Sequence, residues 1–257
     1  MPKIRSIETI DQYIISNGTK DILFTVVGEI HDKETDCETA EQVRIAQVIE
    51  ERMSASKLFL EFAPGLRNEE VSRMGSTVLR DVYRTEKYPL CKQYGFGIDI
   101  RTKILGRHNQ TILYNRPDFK ELKEILKDKS EYRNLFLETF LKCDLIKKVQ
   151  ECQNPIIQKS IELLQKQYLK VATLLITFSP KDDPDNLFYQ TKILWGNLMD
   201  LNILYYSSCR DYGEKALQIF VVVGIKHSEN IRNILRSIVP DGSTNHLSGC
   251  VDTYNLW

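Results

Sequence analysis

Residues 22–32 read Ile22-Leu23-Phe24-Thr25-Val26-Val27-Gly28-Glu29-Ile30-His31-Asp32, and this stretch decides the fold class. A short apolar run rich in β-branched and aromatic residues, without alternation, suits a strand covered on both faces, and such strands belong to parallel sheets. The run breaks off at a glycine and passes straight into charge. The same pattern recurs three times. Lys57-Leu58-Phe59-Leu60 closes in Glu61-Phe62-Ala63-Pro64-Gly65, and Tyr94-Gly95-Phe96-Gly97-Ile98 closes in Asp99-Ile100-Arg101. Gln218-Ile219-Phe220-Val221-Val222-Val223 closes in Gly224-Ile225-Lys226-His227.

Helices fit between these runs. From Thr39 to Met53 the apolar side chains Val43, Ala46, Ile49 and Met53 recur three or four residues apart, with Thr39 and Gln42 placed as a capping box. Asn68, Glu69 and Glu70 open a second helix through Val71, Met74 and Val78. After the last run, Ser228 is placed as an N-cap, Ile231, Ile234, Leu235 and Ile238 form a buried stripe, and Pro240 stops the helix. Alternating strands and helices predict an α/β fold: a parallel-rich central sheet flanked by helices.

The middle of the chain is different. Residues 118 to about 178 read as helix throughout, on the stripes Phe119-Leu122-Ile125-Leu126, Leu137-Phe140-Leu141 and Ile161-Leu164-Tyr168. Ser179-Pro180-Lys181-Asp182-Asp183-Pro184-Asp185 is the clearest break, and a long amphipathic helix from about Asn186 to Arg210 leads back to the last strand. The expectation is a single α/β domain over 1–257 with a helical insertion at 118–185.

Composition narrows the function classes. The 257 residues carry 35 basic and 35 acidic side chains, no net charge and a pI near 6.9, which gives no global electrostatic reason to hold nucleic acid. No apolar run approaches the roughly 20 residues of a membrane helix. The opening residues lack a secretory signal, so a cytoplasmic location is expected. Cys37, Cys91, Cys143, Cys152, Cys209 and Cys250 are scattered without a C-x-x-C pair and read as six reduced thiols packed as small hydrophobes.

Ligands of open α/β sheets bind beyond the carboxyl ends of the strands. Every apolar run ends there in ionisable residues: Glu29 and His31, Glu61, Asp99 and Arg101, then His227. Two of the four histidines belong to this set, each following a glycine by three residues, as Gly28-x-x-His31 and Gly224-x-x-His227. Histidine changes charge near neutral pH, so at such a rim it serves as base or metal ligand. Each cluster has an alternative reading as the point where the chain leaves the core for water. Asp99 and Arg101 alternate in the expected strand and would share a face, either as a structural ion pair or as a substrate clamp. His108 and His246 read as structural, and Tyr205, Tyr206 and Tyr212 as core.

The paired G-x-x-H motifs, the strand Leu58-Phe59-Leu60 closing in Glu61, and a helix from Trp195 to Tyr206 bearing Asp200 and Asn202 resemble the TIKI/TraB and erythromycin esterase/ChaN-like superfamily. The resemblance is carried by short islands along the chain. It implies a cleft holding His31 and His227 with Glu29 and Glu61 beside them. It also implies hydrolysis of an ester or amide, either without metal or with a divalent ion such as zinc, manganese or cobalt; haem binding is a lesser branch. Lys226 before His227 departs from the family pattern and leaves the metal question open.

The expected mechanism is water-mediated hydrolysis of a small-molecule or peptide substrate. His31, oriented by Glu61 or Glu29, takes a proton from water, and His227 at a helix start orients substrate or stabilises the oxyanion. Arg101, Asp99 and Lys226 are the substrate-binding candidates. In the metal version His31, His227 and Glu61 are the ligands. No nucleophile elbow of the G-x-S-x-G type is present, which disfavours an acyl-enzyme. The competing expectation is a binding or scaffold protein that keeps the fold, with its histidines buried in ion pairs or kept apart.

Overall fold

The computed structural model describes residues 3–16, 20–30, 37, 42–101, 103–104, 143–177, 179, 182–210, 212, 218–239 and 244–252. The chain divides into two compact units, Met1–Asp99 with Tyr206–Trp257, and Ile100–Tyr205. The first contains, in order, β1 (Lys3–Ser16), β2 (Asp21–Glu29), β3 (Gln42–Val43), α1 (Ile45–Glu50), β4 (Ser56–Leu60), α2 (Asn68–Val71), α3 (Thr77–Arg84), α4 (Pro89–Tyr94) and β5 (Gly95–Gly97). The described helices of the second unit are α5 (Asp144–Gln150), α6 (Pro155–Thr177) and α7 (Pro184–Ser208), whose last residues belong to the first. The chain then closes with β6 (Gln218–Gly224), α8 (Ile225–Arg236) and β7 (Thr244–Asp252).

The strands form one mixed sheet in the order β3-β1-β2-β6-β4-β5, with β7 paired to β1. The four apolar runs form its central parallel part, with β6 between β2 and β4 and β5 beyond β4, and the two-residue β3 also pairs parallel with β1. β1 and β7 are antiparallel additions that periodicity does not predict. The reason lies in β1, whose Ile4, Ile7 and Ile10 are spaced by three. The β1–β7 register shifts between Ile4 and Ile7 and again between Ile7 and Ile10, so bulges absorb the extra residues and erase the two-residue period.

One face of the sheet presents Ile10, Val27, Leu58, Leu60, Phe220 and Val222 to α1, α3 and α4, through Ile49, Val78, Leu79, Val82 and Cys91. Each such apolar side chain contributes about 1.5–3 kcal/mol by leaving water. The other face receives α8, which packs on β1, β2 and β6 with Ile231 and Leu235 buried. Alternation along β1 therefore turns Thr9, Asp11 and Tyr13 toward α8.

Several boundaries move from their expected places. The first helix starts at Ile45, because Gln42 and Val43 pair with β1 before it. The helix expected from Asn68 is two, α2 and α3, and Ser76 caps the second by accepting from the Leu79 N–H at 3.1 Å. α8 starts at Ile225 with Gly224 as N-cap, which puts Ser228 inside the helix. The long helix expected over 186–210 is α7, and α5 and α6 supply helix after residue 143. Thr39 and the stripes between 118 and 142 lie outside the described residues.

The cysteine reading needs correction. Cys37 and Cys250, 213 positions apart, form a disulfide, which sequence spacing gives no means of foreseeing. Cys91 and Cys143 are free thiols, both buried. Among the described residues no helix is long and apolar enough to cross a membrane.

Candidate functional site

Parallel register brings the strand ends to one rim. Glu29 stands beside Gly224, and Val222 stands beside Leu60. The Glu61 N–H donates to the Val222 carbonyl at 3.1 Å, the Ile98 N–H to Leu60 at 3.0 Å, and the Asp99 N–H to Phe62 at 3.0 Å. Main-chain bonding thus continues just past the last strand residues. It carries Glu61 to the edge where β6 turns into α8, and Asp99 alongside Phe62 past the end of β4.

Glu61 and His227 meet at that edge. Glu61 Oε2 accepts from the Gly224 N–H at 2.6 Å, and Oε1 lies 3.6 Å from His227 Nε2. The second distance is an ion-pair approach, longer than a hydrogen bond. Gly224 is the N-cap of the twelve-residue α8, so the carboxylate also sits where the helix dipole and unpaired amides favour negative charge. The two side chains come from β4 and α8, 166 positions apart, and both are largely shielded, at 11% and 15% exposure for His227 and Glu61.

Glu29 is directed elsewhere. It follows Val27 by two residues and so points to the face covered by α3, where Oε2 accepts from the Val78 N–H at 3.4 Å. That is the contact of a helix-capping carboxylate beside the Ser76 cap. Asp99 is buried two residues past the end of β5, at the last of these main-chain bonds. The expectation that Asp99 and Arg101 alternate in a strand is corrected: β5 ends at Gly97, and the Ile104 N–H bonding to the Ile100 carbonyl puts Arg101 in a helical turn. Arg101 is buried, at 5% exposure, and belongs to the second unit. Lys226 is exposed and pairs with Glu229 at 2.7 Å along its own helix.

His31 lies outside the described residues, as does His108. The expected metal set of His31, His227 and Glu61 is therefore described only in its last two members. Among the described residues no group of three or more His, Cys, Asp or Glu is arranged to hold a metal ion.

Gly28 occupies a position where no side chain would fit. A Cβ at that position would stand 2.5 Å from Thr9 Oγ1 and 2.7 Å from Ser228 Cβ. The missing side chain makes room for α8 to lie directly on the sheet.

A polar cluster under α8 escapes sequence reasoning. Asp11, in the middle of β1, is buried with Oδ1 2.6 Å from His246 Nδ1 and 3.8 Å from Arg232 Nη1. Ser228 donates to its Oδ2 at 3.3 Å. No motif marks these residues; only the odd placing of an aspartate in a strand hints at them. Tyr206 and Tyr212 are half-buried, not core: both rings lie against Phe59, and the Tyr212 hydroxyl donates to the Tyr206 carbonyl at 2.7 Å.

Comparison of the chain with protein-family models, curated proteins and solved structures returns no match in any of the three.

Proposed function

We propose that the protein is a hydrolase of the erythromycin esterase/ChaN-like and TIKI type, cleaving an ester or amide by activating water at the strand-end rim. The observation that carries the reading is the meeting of Glu61 and His227 from distant parts of the chain at the carboxyl end of a parallel sheet. With Nε2 turned to Glu61, the carboxylate orients the imidazole, which serves in this reading as the base toward water. The role of base, expected for His31, passes in this proposal to His227, and His31 takes that of orienting substrate. The positive end of α8 then lies close to the developing oxyanion.

A divalent metal at Glu61 would have to displace contacts that its carboxylate already makes. Both Glu61 oxygens are engaged, one by the Gly224 amide and one by His227. Cytoplasmic residence further requires that the Cys37–Cys250 bond survive the thiol-reducing systems of that compartment, since such bonds persist mainly in oxidising ones.

One observation favours the second reading, a binding or scaffold protein that keeps the fold. His227 and Glu61 are shielded and tied to each other, as a structural pair would be. A panel of aryl esters and fluorogenic peptides, assayed with wild type, His31→Ala, Glu61→Gln and His227→Ala, separates the two. Hydrolysis that falls at least about a hundredfold in His227→Ala and Glu61→Gln, the low end for loss of a general base, supports the hydrolase. Hydrolysis equal in all four proteins, or none at all, supports the scaffold.

A further inference from the structure

Beneath the first turn of α8, three buried polar side chains meet that belong to none of the strand-end clusters. Thr9 and Asp11 stand two residues apart on one face of β1, and Ser228 of α8 is fully enclosed between them. Thr9 Oγ1 and Ser228 Oγ are 3.0 Å apart, and Ser228 donates to Asp11 Oδ2 at 3.3 Å. The remaining oxygen of Asp11 faces His246 of β7 and Arg232 one helical turn further along α8. β1, β7 and two successive turns of α8 are thereby tied to one carboxylate.

Apolar packing alone would hold α8 on the sheet without fixing its rotation, because burial is non-directional. A hydroxyl with two directed partners, enclosed where a lost partner is costly, fixes both rotation and slide. The absent Cβ at Gly28 brings Ser228 close enough for these bonds to form. His227 precedes Ser228 and so lies about 100° round the helix from it, following 3.6 residues per turn. With Ser228 bolted to β1, His227 is carried round toward β4 and Glu61.

We infer that Thr9, Ser228 and Asp11 are positioning residues that set the rotation of α8 so that His227 and the Gly224 amide meet Glu61. Their catalytic importance rests on the hydrolase reading; their effect on the pair does not. The reporters are the Gly224 amide, which donates to Glu61 Oε2, and the imidazole nitrogen resonances of His227.

The test uses the full-length protein with Ser228→Ala, Thr9→Val, Asp11→Asn and Asp11→Ala. Hydrogen exchange at the Gly224 amide is expected to quicken roughly two- to tenfold in Ser228→Ala and Thr9→Val, the range one hydrogen bond implies, while the Val27 amide keeps its protection. The His227 ring resonances move in the same variants, and Asp11→Asn, which keeps an acceptor for Ser228, disturbs both reporters less than Asp11→Ala. Thr9→Val removes one hydroxyl at nearly constant shape, so it carries the test alone if Ser228→Ala or Asp11→Ala does not fold. Unchanged Gly224 exchange and His227 resonances, or faster exchange spread evenly over the sheet, would overturn the proposal. A local response at both reporters in a protein that hydrolyses nothing would retain the positioning role and remove the hydrolase reading.

Discussion

Gly28→Ala is the sharpest test of how α8 is seated. The added methyl would stand 2.5 Å from Thr9 Oγ1, 2.7 Å from Ser228 Cβ and 2.8 Å from Ser228 Oγ. Carbon atoms pack at about 3.5–4.0 Å, so helix and strand must part by roughly an ångström. Neither neighbour is the far end of a flexible side chain, and the strand is held in register on both sides by β1 and β6. Overpacking of this kind costs about 1–3 kcal/mol. Stretching the Thr9–Ser228 bond adds about 1 kcal/mol, and the stiffer unfolded chain returns about 0.4–1 kcal/mol. The expected net loss is about 2 kcal/mol, or roughly 4–8 °C in Tm for a chain of this size. Urea unfolding followed by circular dichroism measures it. The double variant Gly28→Ala with Ser228→Gly should recover at least about 0.5 kcal/mol relative to the sum of the single changes, since the two sites touch. Wild-type stability in Gly28→Ala, or strict additivity in the double variant, would refute the reasoning.

Three further outcomes follow from the same structure. The Cys37–Cys250 bond closes a loop of 213 positions; chain entropy sets its contribution near 5 kcal/mol at most, so Cys250→Ser should lower the urea midpoint markedly, and an unchanged midpoint would count against the bond. Burial, then a hydrogen bond and charge from Glu50, pushes the Cys91 thiol well above its ordinary range, and burial does the same for Cys143; alkylation with peptide mapping at neutral pH should label both only after denaturation. Burial and then Asp11 likewise raise the Tyr13 hydroxyl. These protons stay bound in the folded chain, whereas the unfolded chain releases them near pH 8.5 for cysteine and 10 for tyrosine. Their stabilisation is therefore complete below about pH 8 and is lost as pH rises, by up to about 1.4 kcal/mol per group per pH unit. A urea midpoint that stays level from pH 8 to 10.5 would contradict it.

Parallel strands at the centre of a sheet are covered on both faces, so their apolar character is continuous and visible in one dimension. Ile22 to Val27, Leu58 to Leu60 and Gln218 to Val223 could therefore be recognised, and with them the rim where Glu29, Glu61 and His227 emerge. The amphipathic stripe of α8 was readable for the same reason. β1 was hidden, because its bulges remove the alternation on which recognition depends.

Which rim residues face one another was not encoded locally. Glu29 and Glu61 follow similar apolar runs, yet Glu29 turns to the start of α3 and Glu61 to α8, since strand parity and the end point of each strand decide the direction. The Asp11 cluster depends on contacts between residues more than two hundred positions apart, as does the Cys37–Cys250 bond. The linear chain determined which segments must be buried, because burial follows from the composition of each segment. Tertiary structure alone decided which charged groups meet, because a contact between Glu61 and His227 comes into being only once β4 and β6 are paired.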